Sequence, residues 1–226
     1  TMPEEINRII TDHASDYLFA PTTTAMKNLS MEGLKKKSFL TGDLMVDTLL
    51  NNVKKAKQSK IMYQLKLDET PYYLLTLHRP YNVDKPLKLK LILDKIHQLN
   101  FPVIFSAHPR TQDIITKNNI TINSNIRMID PLSYLDFLCL QLNAEKIVTD
   151  SGGIQKEAYI LNKVCITLRS ETEWIETISN GWNTLLDPSQ NDFINIIESF
   201  EPSKQKLDIF GKDVARKMFK LIKKLN

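Results

Sequence analysis

Apolar runs short enough to be strands alternate with helical patterns almost from end to end of this chain, and that alternation leaves few folds open. The strand candidates are residues 17–20, 38–41, 72–77, 103–106, 127–129, 146–149, 164–168 and 184–186. Between them lie helical patterns of roughly 10–15 residues, the spacing of βαβ units. Several strands, Val103-Ile104-Phe105 among them, are nearly continuous apolar runs, as expected of parallel strands covered on both faces. The fold class that follows is α/β with a doubly wound parallel sheet.

Thr41-Gly42-Asp43 reads as a turn, followed by a long helix from about Leu44 to Gln64. From Tyr72 to about Phe200 the pattern supplies six strand–helix repeats, enough for a complete Rossmann-like domain. Residues 1–42 offer two helices and two short strands, too little for a domain of their own. Thr1 is not an initiator methionine, so an N-terminal truncation is expected, with a second domain of about 150 residues upstream. Pro202 to Leu207 is a polar linker into a helix whose Phe210, Val214, Met218, Leu221 and Leu225 share one stripe. The expected organisation is therefore 1–42, 43–207 and 208–226.

The net charge of +4 is mild and unevenly spread: from Ser203 onward lysine and arginine far outnumber the acids, and the lysines of the last helix fill its polar face. Basic residues are not interleaved with stacking aromatics, so no nucleic-acid partner is expected. The longest apolar runs fall short of membrane-spanning length, and no membrane role is expected either. Cys139 and Cys165 both sit inside apolar runs, which suits a reducing compartment and a cytoplasmic location.

The chemistry concentrates behind the strand candidate at 146–149, in Thr149-Asp150-Ser151-Gly152-Gly153-Ile154-Gln155-Lys156-Glu157. Two glycines permit a tight turn, Ser151 is a good N-cap, and the free amides of the helix it opens suit a phosphate. Glu157 lies four residues after Gly153, on the same helix face, where a carboxylate can accept hydrogen bonds from sugar hydroxyls. The plainer reading is a glycine-rich turn with a surface glutamate. Two further segments tip the balance: Leu77-His78-Arg79-Pro80-Tyr81-Asn82 and Ala107-His108-Pro109-Arg110 both follow strands, at the sheet edge where ligands bind. Leu168-Arg169 follows another, with the acids 171, 173 and 176 read as the first turn of a helix. His97, read as mid-helix, and His13 are taken as non-catalytic, and no metal-ligand cluster is visible.

Together these motifs resemble the non-hydrolysing UDP-N-acetylglucosamine 2-epimerases, which have the GT-B fold. The resemblance rests on Pro3-Glu4-Glu5-Ile6-Asn7-Arg8, Thr41-Gly42, His78-Arg79 with Asn82, and His108-Pro109. It continues through Asp130-Pro131, Thr149 to Glu157, and Leu168-Arg169 with Thr172-Glu173 and Glu176, in matching order and spacing. It implies one complete Rossmann-like domain, 43–207, for UDP, with 1–42 a remnant of the N-terminal domain and 208–226 a helix packing back on it.

Residue by residue, the resemblance implies that Ser151, Gly152 and Gly153 hold the pyrophosphate, Glu157 the ribose, and Phe137 the uracil. Glu4 and His78 match catalytic positions, with Arg79, His108, Arg169 and Glu173 beside the substrate. No cofactor or metal is implied, and a homodimer is expected for the complete protein. The family reaction eliminates UDP to leave a 2-acetamidoglucal and adds it back after protonating the opposite face. Pro80-Tyr81 replaces the usual acid, and Trp174 stands where arginine-proline is usual. With Trp182 and Arg110 available, these departures favour a modified sugar such as UDP-2,3-diacetamido-2,3-dideoxyglucuronate. The alternatives are a GT-B glycosyltransferase and a UDP-binding piece without turnover of its own.

Overall fold

The computed structural model describes residues 3–225, with the side chains of Pro3 and Glu4 outside the described set. In chain order the elements are α1 (Pro3–Ala14), β1 (Leu18–Ala20), α2 (Thr23–Met31), β2 (Ser38–Leu40), α3 (Leu44–Ala56) and α4 (Ile61–Gln64). Then come β3 (Tyr73–Thr76), α5 (Pro80–Val83), α6 (Pro86–Ile96), β4 (Val103–Ser106), α7 (Pro109–Lys117) and β5 (Ile126–Ile129). The remainder holds α8 (Tyr134–Asn143), β6 (Lys146–Thr149), α9 (Gly152–Ile160), β7 (Val164–Thr167) and α10 (Ile175–Ser179). It closes with β8 (Asn183–Leu185), α11 (Phe193–Ser199) and α12 (Val214–Leu225).

These elements form two compact units: the chain up to Asn51 with the chain from Leu207 onward, and Asn52–Lys206. The division runs through α3. In the first unit β1 and β2 pair in parallel, Leu18 opposite Ser38 and Ala20 opposite Leu40. Leu29 of α2 packs with Leu18 and Ala20. Gly42 has φ +99°, and a Cβ on it would stand 2.5 Å from the Phe210 carbonyl oxygen. Only glycine lets the 41–43 turn lie that close to residues 210–211. Asp47 accepts the Ala215 amide at 2.7 Å and so caps the first turn of α12.

The second unit is a six-stranded, all-parallel sheet in the order β5-β4-β3-β6-β7-β8. Successive strand residues point to opposite faces. Tyr73, Leu75, Phe105, Val148 and Ile166 form one core with Leu89, Ile92 and Leu93 of α6 and with Phe193 and Ile197 of α11. Leu74, Ile104, Ile147 and Cys165, the alternate positions, are just as buried. Both faces are covered, which is why these strands read as unbroken apolar runs. Chain order runs β3-β4-β5 to one side and β6-β7-β8 to the other, so it reverses between β3 and β6. At such a switch point the loops diverge and leave a crevice beyond the strand ends. Among the described residues no helix is long and apolar enough to cross a membrane.

Three local expectations are corrected. The helix expected over 44–64 is broken into α3 and α4. Gln58 and Ser59 bond to carbonyls three residues back, and Ser59 Oγ accepts the Ile61 amide at 3.1 Å to start a new helix. His97 caps the end of α6 instead of lying inside it. The acids at 171 and 173 precede α10 in a loop, because Thr172 turns inward: its hydroxyl donates to Gln155 Oε1 at 2.7 Å and accepts the Trp174 amide at 3.1 Å.

Candidate nucleotide-binding site

β3 and β6 end side by side, joined by a 2.6 Å hydrogen bond between the hydroxyls of Thr76 and Thr149. Thr149 Oγ1 also accepts the Ser151 amide at 3.0 Å, which bends the chain into the α9 N-terminus. Ser151 is the N-cap of α9, its Oγ 3.5 Å from the Ile154 amide. The first-turn amides of α9 therefore face the crevice at the switch point, a place that favours an anion.

Asp150 is fully buried. Its carboxylate accepts the His78 amide at 3.1 Å, the Arg79 amide at 3.0 Å and Asn82 Nδ2 at 3.1 Å. Asn82 Nδ2 also donates to the Leu168 carbonyl at 2.9 Å, tying the loop after β3 to the end of β7. One buried acid thus fixes the backbone that carries His78 and Arg79. It also lies 3.3 Å from His78 Nδ1, which holds the proton on that nitrogen and turns Nε2 outward. Burial pushes the His78 imidazole below its ordinary value of 6.5; Asp150 pulls it up, and Arg79, His108 and Arg169 push it down. His78 is thereby neutral at pH 7, beside a cluster of positive charge.

The crevice beyond β3, β4 and β5 is a cleft of about 230 Å³. His78, His108, Phe137 and Ile154 line it, with Pro131 and Leu132 from the loop after β5. His108 is the N-cap of α7 and accepts the Arg110 amide on Nδ1 at 3.2 Å. Across α9, a Cβ on Gly152 would fall 2.0 Å from Glu173 Oε1 and 3.3 Å from Trp174 Nε1. The end of the Glu173 side chain, from the loop after β7, thus lies directly on the helix end. Arg169, almost sealed from solvent, holds Glu173 there with a 2.7 Å ion pair. Lys156 sits 4.4 Å over the Trp174 ring.

Glu157 is no surface residue: it is 8% exposed, and burial raises its carboxyl above the ordinary 4.5, against a downward pull from Gln141 and Lys156. Gln141 Nε2 donates to Glu157 Oε2 at 2.6 Å.

The fold thus gathers His78, Arg79, His108, Phe137, Ser151–Gly153, Glu157, Arg169 and Glu173 at one sheet edge. Glu4 lies in the first turn of α1, in the other unit, and its side chain is outside the described residues. Trp182 donates its Nε1 to the Lys204 carbonyl at 3.1 Å, and Arg110 pairs with Asp84. Sequence reasoning missed the anchoring by Asp150 and Asn82, and missed Gln141 altogether. An acid directly after an apolar strand and before an N-cap serine was a usable signal for Asp150. Nothing in the sequence marks Gln141.

Residues 1–221 match the family model described as UDP-N-acetylglucosamine 2-epimerase. A Methanococcus maripaludis protein named UDP-N-acetylglucosamine 2-epimerase homolog is 42% identical over 210 residues, covering 90% of this chain and 59% of that one. The UDP-2,3-diacetamido-2,3-dideoxy-D-glucuronate 2-epimerase of Pseudomonas aeruginosa is 36% identical, covering 89% of this chain and 56% of that one. A crystal structure of the Methanocaldococcus jannaschii UDP-GlcNAc 2-epimerase, in complex with UDP-GlcNAc and UDP, has a TM-score of 0.89 at 39% identity. That match covers 99% of this chain and 65% of the other. The fold defines a Rossmann-like, GT-B-type chain. Within that class it belongs to the UDP-N-acetylglucosamine 2-epimerase family, of whose curated members it spans somewhat more than half the length.

Proposed function

We propose that this chain carries the UDP-binding half of a non-hydrolysing UDP-N-acetylhexosamine 2-epimerase. The observation that carries the reading is the α9 N-terminus opening at the sheet's switch point, with Arg79, Arg169 and His78 gathered around it. The pyrophosphate lies against the amides of residues 151–153, where it competes with Glu173 for Arg169. The uracil enters the cleft by Phe137, and Glu157 accepts the ribose hydroxyls.

The chemistry asks for this arrangement. Carbon 2 of the sugar is only weakly acidic, so the C2 proton leaves as the C1–oxygen bond breaks. The C2–H electrons become the C1–C2 double bond of a 2-acetamidoglucal, and the C1–O electrons depart with UDP. Negative charge grows on the pyrophosphate, where a helix end and fixed cations stabilise it. Glu4 takes the C2 proton, while His78, oriented by Asp150, stands with Arg79 and Arg169 beside the developing charge. Reprotonation of C2 on the opposite face and return of UDP to C1 complete the epimerisation. Glu4 is assigned the acid/base role at carbon 2, and residues 1–42 and 208–226 are assigned to the first domain.

Trp174 lies beneath Lys156 and Trp182 is bonded to Lys204. With both indoles so engaged, UDP-N-acetylglucosamine is the substrate to test first, against the diacetamido-glucuronate. A charged nucleotide sugar suits a cytoplasmic enzyme, and a homodimer is the expected assembly of the complete protein.

Turnover of UDP-N-acetylglucosamine by the complete protein in heavy water tests the reading. Deuterium at carbon 2 of product and recovered substrate is expected. Transfer to an acceptor without that exchange would make the protein a glycosyltransferase instead.

A further inference from the structure

Gln141 is fully buried on α8, directly after the buried Leu138, Cys139 and Leu140. Its Nε2 donates to Glu157 Oε2 at 2.6 Å, while its Oε1 is buried with no hydrogen-bond partner. A methionine or leucine fits the same space without burying an unpaired carbonyl oxygen, so packing alone does not account for an amide here. The amide cannot turn around either, since that would set its oxygen against the carboxylate.

We propose that Gln141 is a positioning residue that fixes the Glu157 carboxylate to accept both ribose hydroxyls, and so sets a preference for ribonucleotides over 2′-deoxyribonucleotides. The proposal rests on the reading of Glu157 as the ribose acceptor. A carboxylate has several acceptor directions and one terminal torsion. A single tight donor on Oε2 removes that freedom and leaves Oε1, with the outer lone pair of Oε2, directed at the ligand. Such a pair of acceptors matches a cis-diol. Released from Gln141, the carboxylate rotates and can satisfy a single hydroxyl as well as two. Gln141 itself is too deeply buried to touch the nucleotide, so it acts only through Glu157.

Calorimetric binding of UDP and 2′-deoxy-UDP to the 226-residue protein tests this, with thermal melting as the control for folding. The wild type is expected to prefer UDP by about tenfold, the scale of one charge-assisted hydrogen bond. Glu157→Gln should reduce the preference to about twofold or less. Gln141→Met should also bring it below about threefold, by weakening UDP while leaving 2′-deoxy-UDP unchanged. Gln141→Asn, whose amide is too short to reach, carries the same expectation should the methionine variant fail to fold. A full preference in the Gln141 variants with its loss in Glu157→Gln overturns the proposal and leaves the ribose reading standing. A full preference in Glu157→Gln overturns both.

Discussion

Asp150 and Glu157 belong to one motif and are both nearly sealed from solvent, yet they are partnered in opposite ways. Asp150 accepts from two backbone amides and the Asn82 amide group, with His78 Nδ1 beside it. Its acceptor capacity is spent inside the protein. Glu157 takes its one side-chain hydrogen bond among the described residues from Gln141, and burial raises its carboxyl. A buried acid ringed by donors holds structure; a buried acid short of donors is held ready for a ligand.

If that contrast is right, the two acids fail differently when changed. Asp150→Asn replaces an acceptor with an NH₂ facing other donors and should cost about 3 kcal/mol of stability, read by urea denaturation. A loss below about 1 kcal/mol would put Asp150 outside the loop's architecture. Glu157→Gln should leave stability within about 1 kcal/mol, because it removes a poorly solvated charge, yet weaken UDP by about 2 kcal/mol. Calorimetry checks the second figure, and a stability loss matching that of Asp150→Asn would erase the contrast.

Between the two acids, Gly152→Ala should weaken UDP by about 1 kcal/mol. The new methyl collides with the flexible, exposed end of Glu173, so the side chain moves over the helix amides while the fold survives. An unchanged affinity would mean that the pyrophosphate does not use that turn.

The smallest effect is one of pH. Glu157 faces Gln141 across the helix pair, with Lys156 beside it and Tyr134 of α8 nearby, a phenol pushed above its ordinary 10.0 and so neutral in this range. Only the ionised carboxylate accepts from both hydroxyls. The preference for UDP over 2′-deoxy-UDP should therefore be complete at pH 8 and shrink as pH falls through a Glu157 value lying above 4.5. A preference that stays constant down to pH 4.5 would reject this assignment.

The strands were legible to within a residue or so, most plainly β3, β4, β6 and β7, which are short, mostly apolar runs buried on both faces. Their order was legible only as a class: nothing in Tyr73–Thr76 or Lys146–Thr149 announces that these two strands are neighbours. Ser151 was readable as an N-cap, since the signal is local. The break at Ser59 was not, because a serine inside a helical pattern becomes a break only where its hydroxyl has a better partner, here the Ile61 amide. Thr172 misled in the same way, through Gln155. Glu157 shows the deeper limit. Its spacing from Gly153 gave its helix face, but its burial and its pairing with Gln141 depend on how α8 and α9 pack, which no local pattern encodes.

The most direct test of the account is an NMR titration of the uniformly ¹⁵N-labelled chain with UDP. The largest shifts are expected at the amides of Ser151, Gly152 and Gly153, followed by His78 and Arg79, and Glu157→Gln should weaken the response without moving its location. Saturable UDP binding that leaves the three amides at 151–153 unperturbed would contradict the account.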